Sequence, residues 1–342
     1  MNSTEAKLTI QYPKIKQANA VEILSLVDNS VDFMSTVSHR LAKPFGHWSR
    51  ERHGQEWLNT HKQLPIAEHG FSMLIRIISE GKTHSILFDT GSSPDAVLEN
   101  AKRMGIDLSE VECIVLSHGH YDHFGGLASV VKAIGKADLP IIVHEDMFKI
   151  RGSALPNGAV RKFTDFPTEA QLSPAKVVFT KQPYLIADNM VCITGEIPRK
   201  TNYEKGYLRH RVFVGGSWQP DPLIIDERAI VINAKGKGLV VITGCAHAGI
   251  INTITYAQQI TGVEQIYAVL GGFHLAGKGS EEQTEPTLNE LVRSNPTLVV
   301  PSHCTGWRAT SAIARVLPEA FVWNSVGNLY EIATKGNTNI AT

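Results

Sequence analysis

The segment Ser117-His118-Gly119-His120-Tyr121-Asp122-His123 places four potential metal ligands within the six residues from His118 to His123. Neutral imidazole and carboxylate hold divalent zinc, manganese, iron or nickel. His118 and His120, two residues apart, can point to one side of an extended turn. Asp122 and His123 follow on the next turn and can face a second ion. Gly125 and Gly126 let the chain bend sharply afterwards. Residue types and spacing therefore predict a metal centre, with places for two ions, suited to hydrolysis by an activated water.

A loop of this kind needs elements that carry distant ligands to it. The chain has 342 residues, 43% of them apolar and 19% charged, enough to bury a large core. Val21–Val27 reads as a strand. Met73–Ile78 and Ser85–Phe88 read as a strand pair turning at Gly81-Lys82 and ending in Asp89-Thr90-Gly91. A helix is expected next, capped by Ser93, with Pro94 in its first position and Gly105 closing it. Cys113–Leu116 is a short buried-type strand that feeds the His-rich loop. Leu127–Ile134 reads as a helix stopped by Gly135, and Pro140–Val143 as a strand. Ala229–Asn233 and Leu239–Thr243 form a hairpin pattern. A helix over residues 249–261, a strand Ile266–Leu270, a helix over 282–294, a strand Thr297–Val300 and a helix Ala309–Val316 complete the regular part. Several of these strands end in a polar residue: Asp89, the His-rich loop, His247, His274 and His303. In open α/β sheets, sites gather at strand ends.

The expected organisation is an N-terminal arm over 1–20 and a single domain over 21–342. Insertions are expected at about 39–66, a loop or short-helix region outside the core, and 148–225. Lysine plus arginine equals aspartate plus glutamate, 33 each, so no net charge draws the chain to nucleic acid or an anionic membrane. The four cysteines form no C-x-x-C pair, which argues against a disulfide framework or a zinc knuckle. The first residues lack a signal-type apolar stretch, and no run is long enough to span a bilayer. The corresponding expectation is a cytoplasmic location. The sequence leaves the oligomeric state open.

His118-Gly119-His120-Tyr121-Asp122-His123 resembles the H-x-H-x-D-H signature of the metallo-β-lactamase-fold superfamily. Asp89 in D-T-G, His247 in G-C-A-H-A-G and His303 in P-S-H-C supply the expected companions, so the resemblance runs from about Val21 to Tyr330. Residues 67–70, 195–199, 244–249 and 271–275 are similar to a branch that includes dihydropterin-methyl ribofuranosylaminobenzene phosphate synthases. The resemblance implies an αββα sandwich, an α/β fold with the metals at one edge. It implies one ion held by His118, His120 and His247, and a second by Asp122, His123 and His303. Asp89 would accept a hydrogen bond from a ligand imidazole. Zn2+ is the expected ion, with Mn2+, Fe2+ and Mg2+ as alternatives. One position departs from the pattern. Where the superfamily usually has a carboxylate bridging the two ions, this chain has Gly271-Gly272-Phe273-His274. His274 is expected as a ligand of the second ion or as a proton donor, and Asp122 as the other group able to handle a proton. A site with so few carboxylates is expected to be cationic and to favour a small anionic substrate.

Arg199, His210 and Arg211 are candidates for gripping such a substrate. His69 is open between a place at the centre and a structural one. Cys245 and Cys304 read as small buried residues, with Cys304 kept as an alternative ligand. Three functions remain open: a metal-dependent hydrolase of an anionic ester, phosphoester or lactone; a transferase using a pterin diphosphate; and a non-catalytic ligand-binding or regulatory protein.

Overall fold

The computed structural model describes residue 12, residues 14–61 and residues 63–333. Apolar, β-branched runs build one sheet of eight strands, mostly from the first half of the chain. Its order is Lys176–Phe179, Pro140–Val143, Cys113–Val115, Lys82–Phe88, Ser72–Ser79, Ala20–Val27, Leu329–Ala333 and Ala42–Lys43. The first four strands in that order run parallel. A second sheet of seven strands has the order Tyr184–Ile186, Val191–Ile193, Ala229–Ala234, Gly238–Thr243, Ile266–Gly272 and Leu298–Ser302. Gln17–Ala18 pairs alongside Ala229–Ala234, and the last three strands in that order run parallel.

Side chains alternate across a strand, so each sheet must cover two faces. Val21, Ile23, Ile75 and Phe88 of one sheet meet Ile230, Ile232, Val240 and Ile242 of the other. The outer face of the eight-stranded sheet, with Leu24, Leu74 and Ile141, packs on Val97, Ala101 and Val130. These come from helices Ala96–Met104 and Leu127–Ile134. The outer face of the other sheet, with Val231, Val241 and Val299, packs on Ile254, Leu291 and Ile313. Those belong to helices Ile250–Thr261, Thr284–Ser294 and Trp307–Val316. The layers are therefore αββα, as the resemblance implied.

Several expectations need correction. The region 39–66 does form short helices, Phe45–His53 and Gln55–Thr60. It is not outside the core, however. Phe45 and Trp48 are buried, and Trp48 Nε1 donates to Gly327 O at 2.7 Å. The segment 148–225 is not one insertion. Lys176–Phe179 extends the first sheet, and Tyr184–Ile186 and Val191–Ile193 edge the second. Only Arg151–Ala154, Val160–Lys162, His210–Val214 and Ser217–Pro220 form a separate four-stranded sheet. The helix after Asp89 starts at Ala96 behind Asp95, so Ser93 does not cap it and Pro94 precedes it; Gly105 closes it as expected. Of the expected arm, residues 1–11 and 13 lie outside the described residues, while Gln17–Ala18 is a strand.

Asp89 follows Lys82–Phe88, and the His-rich loop follows Cys113–Val115. His247, His274 and His303 follow three parallel strands of the second sheet. Parallel strands end on one side of a sheet, so these residues meet along one edge of the sandwich.

Candidate metal centre

Short strands deliver the ligand candidates, and buried hydrogen bonds aim them. Ser117 N and Ser117 Oγ donate to the two oxygens of Asp89 at 2.7 and 2.6 Å. His123 Nδ1–H donates to Asp89 Oδ2 at 2.6 Å, which turns Nε2 into the centre. This is the imidazole–carboxylate contact expected of Asp89. Ser117 Oγ also lies 2.9 Å from His118 Nδ1. His118 Nε2 and His120 Nδ1 then face each other at 2.9 Å. The His247 ring stands 4.9 Å from that of His118 and 5.0 Å from that of His120.

On the other side, Asp122 Oδ2 lies 3.3 Å from His303 Nε2. His303 Nδ1–H donates to Asn29 Oδ1 at 3.1 Å, and His303 N donates to Asp28 Oδ1 at 2.9 Å. His69 Nε2 stands 3.4 Å from the same Asp122 oxygen, at the exposed mouth. The ligand atoms of His118, His120 and His247 fall within 4.8 Å of one another, and so do those of His69, Asp122 and His303. The His123 ring lies 4.2 Å from that of His118 and 5.0 Å from that of His303, joining the two groups.

The backbone carries strain where these residues sit. Asp89 (φ 60°), Ala246 (φ 56°), His274 (φ 42°) and His303 (φ 48°) all occupy the left-handed region. Such residues cost about 1–3 kcal/mol each and persist only where surrounding structure imposes them.

Residues far away in sequence hold the loop. Asp226 accepts from Gly119 N at 2.9 Å and from both terminal nitrogens of Arg151 at 2.8 and 2.6 Å. Burial works to raise Asp226, but the paired guanidinium outweighs it and holds the carboxyl below its ordinary range. A Cβ at Gly119 would come 2.8 Å from Arg151 Nη1 and from Met147 Cα, so only glycine fits under that pair. Glu227 accepts from His247 N at 2.6 Å and from Ala248 N. Arg151, Asp226 and Glu227 carry no local pattern that marks them, and sequence reading passed over them.

The donor set fits divalent ions. Burial pushes His118, His120 and His247 well below the ordinary imidazole range, so all three are neutral, as ligands must be. Burial works against ionised Asp122, but the neighbouring His123, His303 and His69 outweigh it and keep the carboxyl well below its usual value. His247 Nδ1 and Nε2, His120 Nε2 and His303 Nε2 are buried without a hydrogen-bond partner. Buried polar nitrogens seldom stay orphaned unless something else binds them.

His274 stands against this cluster, its ring 4.1 Å from that of His247. Its Nδ1 is buried and unpartnered. His210 is buried with its ring 5.1 Å from that of His120, and Nδ1–H donates to Asp221 O. Arg199 and Arg211 are placed differently. Arg199 donates to Ile197 O and Leu223 O, and Arg211 to Leu208 O and His210 O. Both guanidinium groups hold loops together. Lys205, Arg209 and Lys278 line a cleft of about 470 Å³ together with Glu282. Tyr207 forms its wall, with its ring 6.3 Å from His247 and 5.6 Å from His274. Neither this cleft nor a larger one of about 580 Å³, between residues 35–40 and 318–323, is lined by a ligand candidate; Tyr207 is what joins the first to the cluster.

Residues 66–186 match the family model of the metallo-beta-lactamase superfamily. Over 261 residues the chain is 30% identical to 7,8-dihydropterin-6-methyl-4-(beta-D-ribofuranosyl)-aminobenzene-5'-phosphate synthase of Methanocaldococcus jannaschii, spanning 75% of this chain and 87% of that relative. It is 32% identical over 283 residues to an uncharacterized protein of the same organism, spanning 80% and 97% of the two chains. The fold is similar to the crystal structure of Tm1679, described as a metal-dependent hydrolase of the beta-lactamase superfamily. The TM-score is 0.68 and the identity 25%, covering 92% of this chain and 100% of that one.

Proposed function

Because the chain belongs to the metallo-β-lactamase superfamily, we propose that it is a hydrolase of anionic esters, phosphoesters or lactones that works with two divalent ions. The observation that carries this reading is the pair of ligand groups around His118 and Asp122, in which His120 Nε2, both ring nitrogens of His247 and His303 Nε2 are buried without a hydrogen-bond partner. His118, His120 and His247 would hold one ion. Asp122, His123 and His303 would hold the other, with His69 at the mouth. Zinc suits this imidazole-rich set best. When bound, such ions polarise a substrate oxygen and make water a nucleophile at neutral pH.

The protein supplies the rest. Asp89 and Asn29 fix the ring orientation of His123 and His303. Arg151 and Asp226 hold the turn at Gly119 in place. Lys205, Arg209 and Lys278 draw the anionic part of the substrate into the cleft beside Tyr207. His274, against His247 and the Tyr207 wall, holds a proton for the leaving group.

Chelator treatment is expected to abolish hydrolysis of an anionic ester panel, and zinc to restore it. A His118→Ala variant is expected to lose an ion and turnover together. Full metal content with full turnover in that variant would sink the reading. The 30% identical synthase favours a second reading. In it, a pterin diphosphate reacts with an aromatic nucleophile and loses diphosphate. That reaction needs an organic acceptor, so ester turnover without one would exclude it as the sole activity.

A further inference from the structure

Two thiols stand inside the cluster without a role in the reading above. Cys245 lies two residues before His247, and Cys304 directly follows His303. Cys245 is buried, and its Sγ lies 3.2 Å from His123 Nε2. The sulfur belongs to three sets of ligand atoms that lie within 4.8 Å of one another. His118 and His123 complete one set, His247 and His274 another, and His303 and Cys304 the third. One atom therefore lies within 4.8 Å of members of both ion-holding groups. His247 and His303, both over nine-tenths buried, leave ring nitrogens unpartnered beside it.

The strand end at Gly271-Gly272 explains why no carboxylate does this work. A Cβ on Gly272 would come 2.6 Å from Cys304 Sγ and 3.2 Å from Cys245 Cα, and would strike Gly244 O. No side chain can start at that position. The Gly244 carbonyl, the Cys304 thiol and the Cys245 backbone fill the space it would need.

We propose that Cys245 is a thiolate ligand set between the two ion positions, taking the place of a bridging carboxylate. On binding, the S–H bond breaks and sulfur keeps the electron pair for the metal bond. The proton leaves to solvent, and nothing is oxidised or reduced. Cys245 adds a second negative charge to that of Asp122, so the centre is less cationic than the imidazoles alone imply. A soft sulfur also favours zinc over magnesium, which prefers oxygen ligands.

This inference rests on the ion positions of the proposed function, and the test separates the two. X-ray absorption on the zinc-loaded protein needs no variant and is expected to show sulfur in the first coordination shell. The cobalt-substituted protein is expected to show a near-ultraviolet sulfur-to-cobalt charge-transfer band. Cys245→Ser, checked for folding by circular dichroism, should lose the band, and Cys304→Ser should keep it. Two bound ions without a sulfur neighbour would overturn the inference alone. So would a band that survives Cys245→Ser. A protein that binds no ion would overturn both the inference and the proposed function.

Discussion

Asp89 shows how one residue governs the centre without needing to touch an ion. It takes three buried hydrogen bonds, from Ser117 N, Ser117 Oγ and His123 Nδ1. Burial opposes a charged His123, but Asp89 and Asp122 outweigh it and raise the imidazole to about 9 in the absence of metal. Asp89→Asn keeps the shape but removes the charge that fixes the ring. It is expected to weaken metal binding about 10- to 100-fold, measured by competition with a chromogenic chelator. Unchanged affinity would remove Asp89 from the centre. At this scale the sequence was legible wherever ligand types clustered, as from His118 to His123. It showed Cys245 as a small buried residue, which it is, but was opaque for its 3.2 Å approach to His123, 122 residues away. It was also opaque for Asp226 and Arg151, which are 75 residues apart and meet only in the fold.

At the scale of elements, regular punctuation was readable and irregular packing was not. Leu127–Ile134 and Pro140–Val143 have the boundaries expected from their apolar runs and from Gly135. Leu329–Ala333 was missed, because a five-residue strand near the chain end, interrupted by Glu331, shows little pattern. The helix Phe45–His53 was placed outside the core because its aromatic residues follow no helical period. Yet Trp48 is one of the largest fully buried side chains. Trp48→Ala is expected to cost about 3–5 kcal/mol in a denaturant titration, as large aromatic truncations do. The folded fraction should keep its metal content. A cost below about 1 kcal/mol would show that this helix is only appended to the sandwich.

Over the whole molecule, the ligand edge is a burden on stability until ions bind. Burial keeps His118, His120 and His247 neutral in the fold, whereas the unfolded chain protonates them near pH 6.5. Below that pH the unfolded state binds more protons, so these three groups make the metal-free protein less stable as pH falls. Glu227, raised by burial to about 7, has the opposite sign between its ordinary value and 7. The contribution of one histidine is therefore best isolated by difference. His247→Asn in metal-free protein should flatten the fall below pH 6.5 by up to about 1.4 kcal/mol per pH unit. An unchanged slope would mean that His247 is not held neutral. Zinc should raise stability but keep this dependence, because metal-bound imidazoles also carry no proton while the unfolded chain still takes them up.

The central claim is that this edge activates water against an anionic substrate. Its most direct measurement is turnover of an anionic ester or phosphoester by the zinc-loaded protein in heavy-oxygen water, with products read by mass spectrometry. The account predicts one labelled oxygen in the product and none after chelation. Product formed without label would mean that a group other than water attacks, and would contradict it.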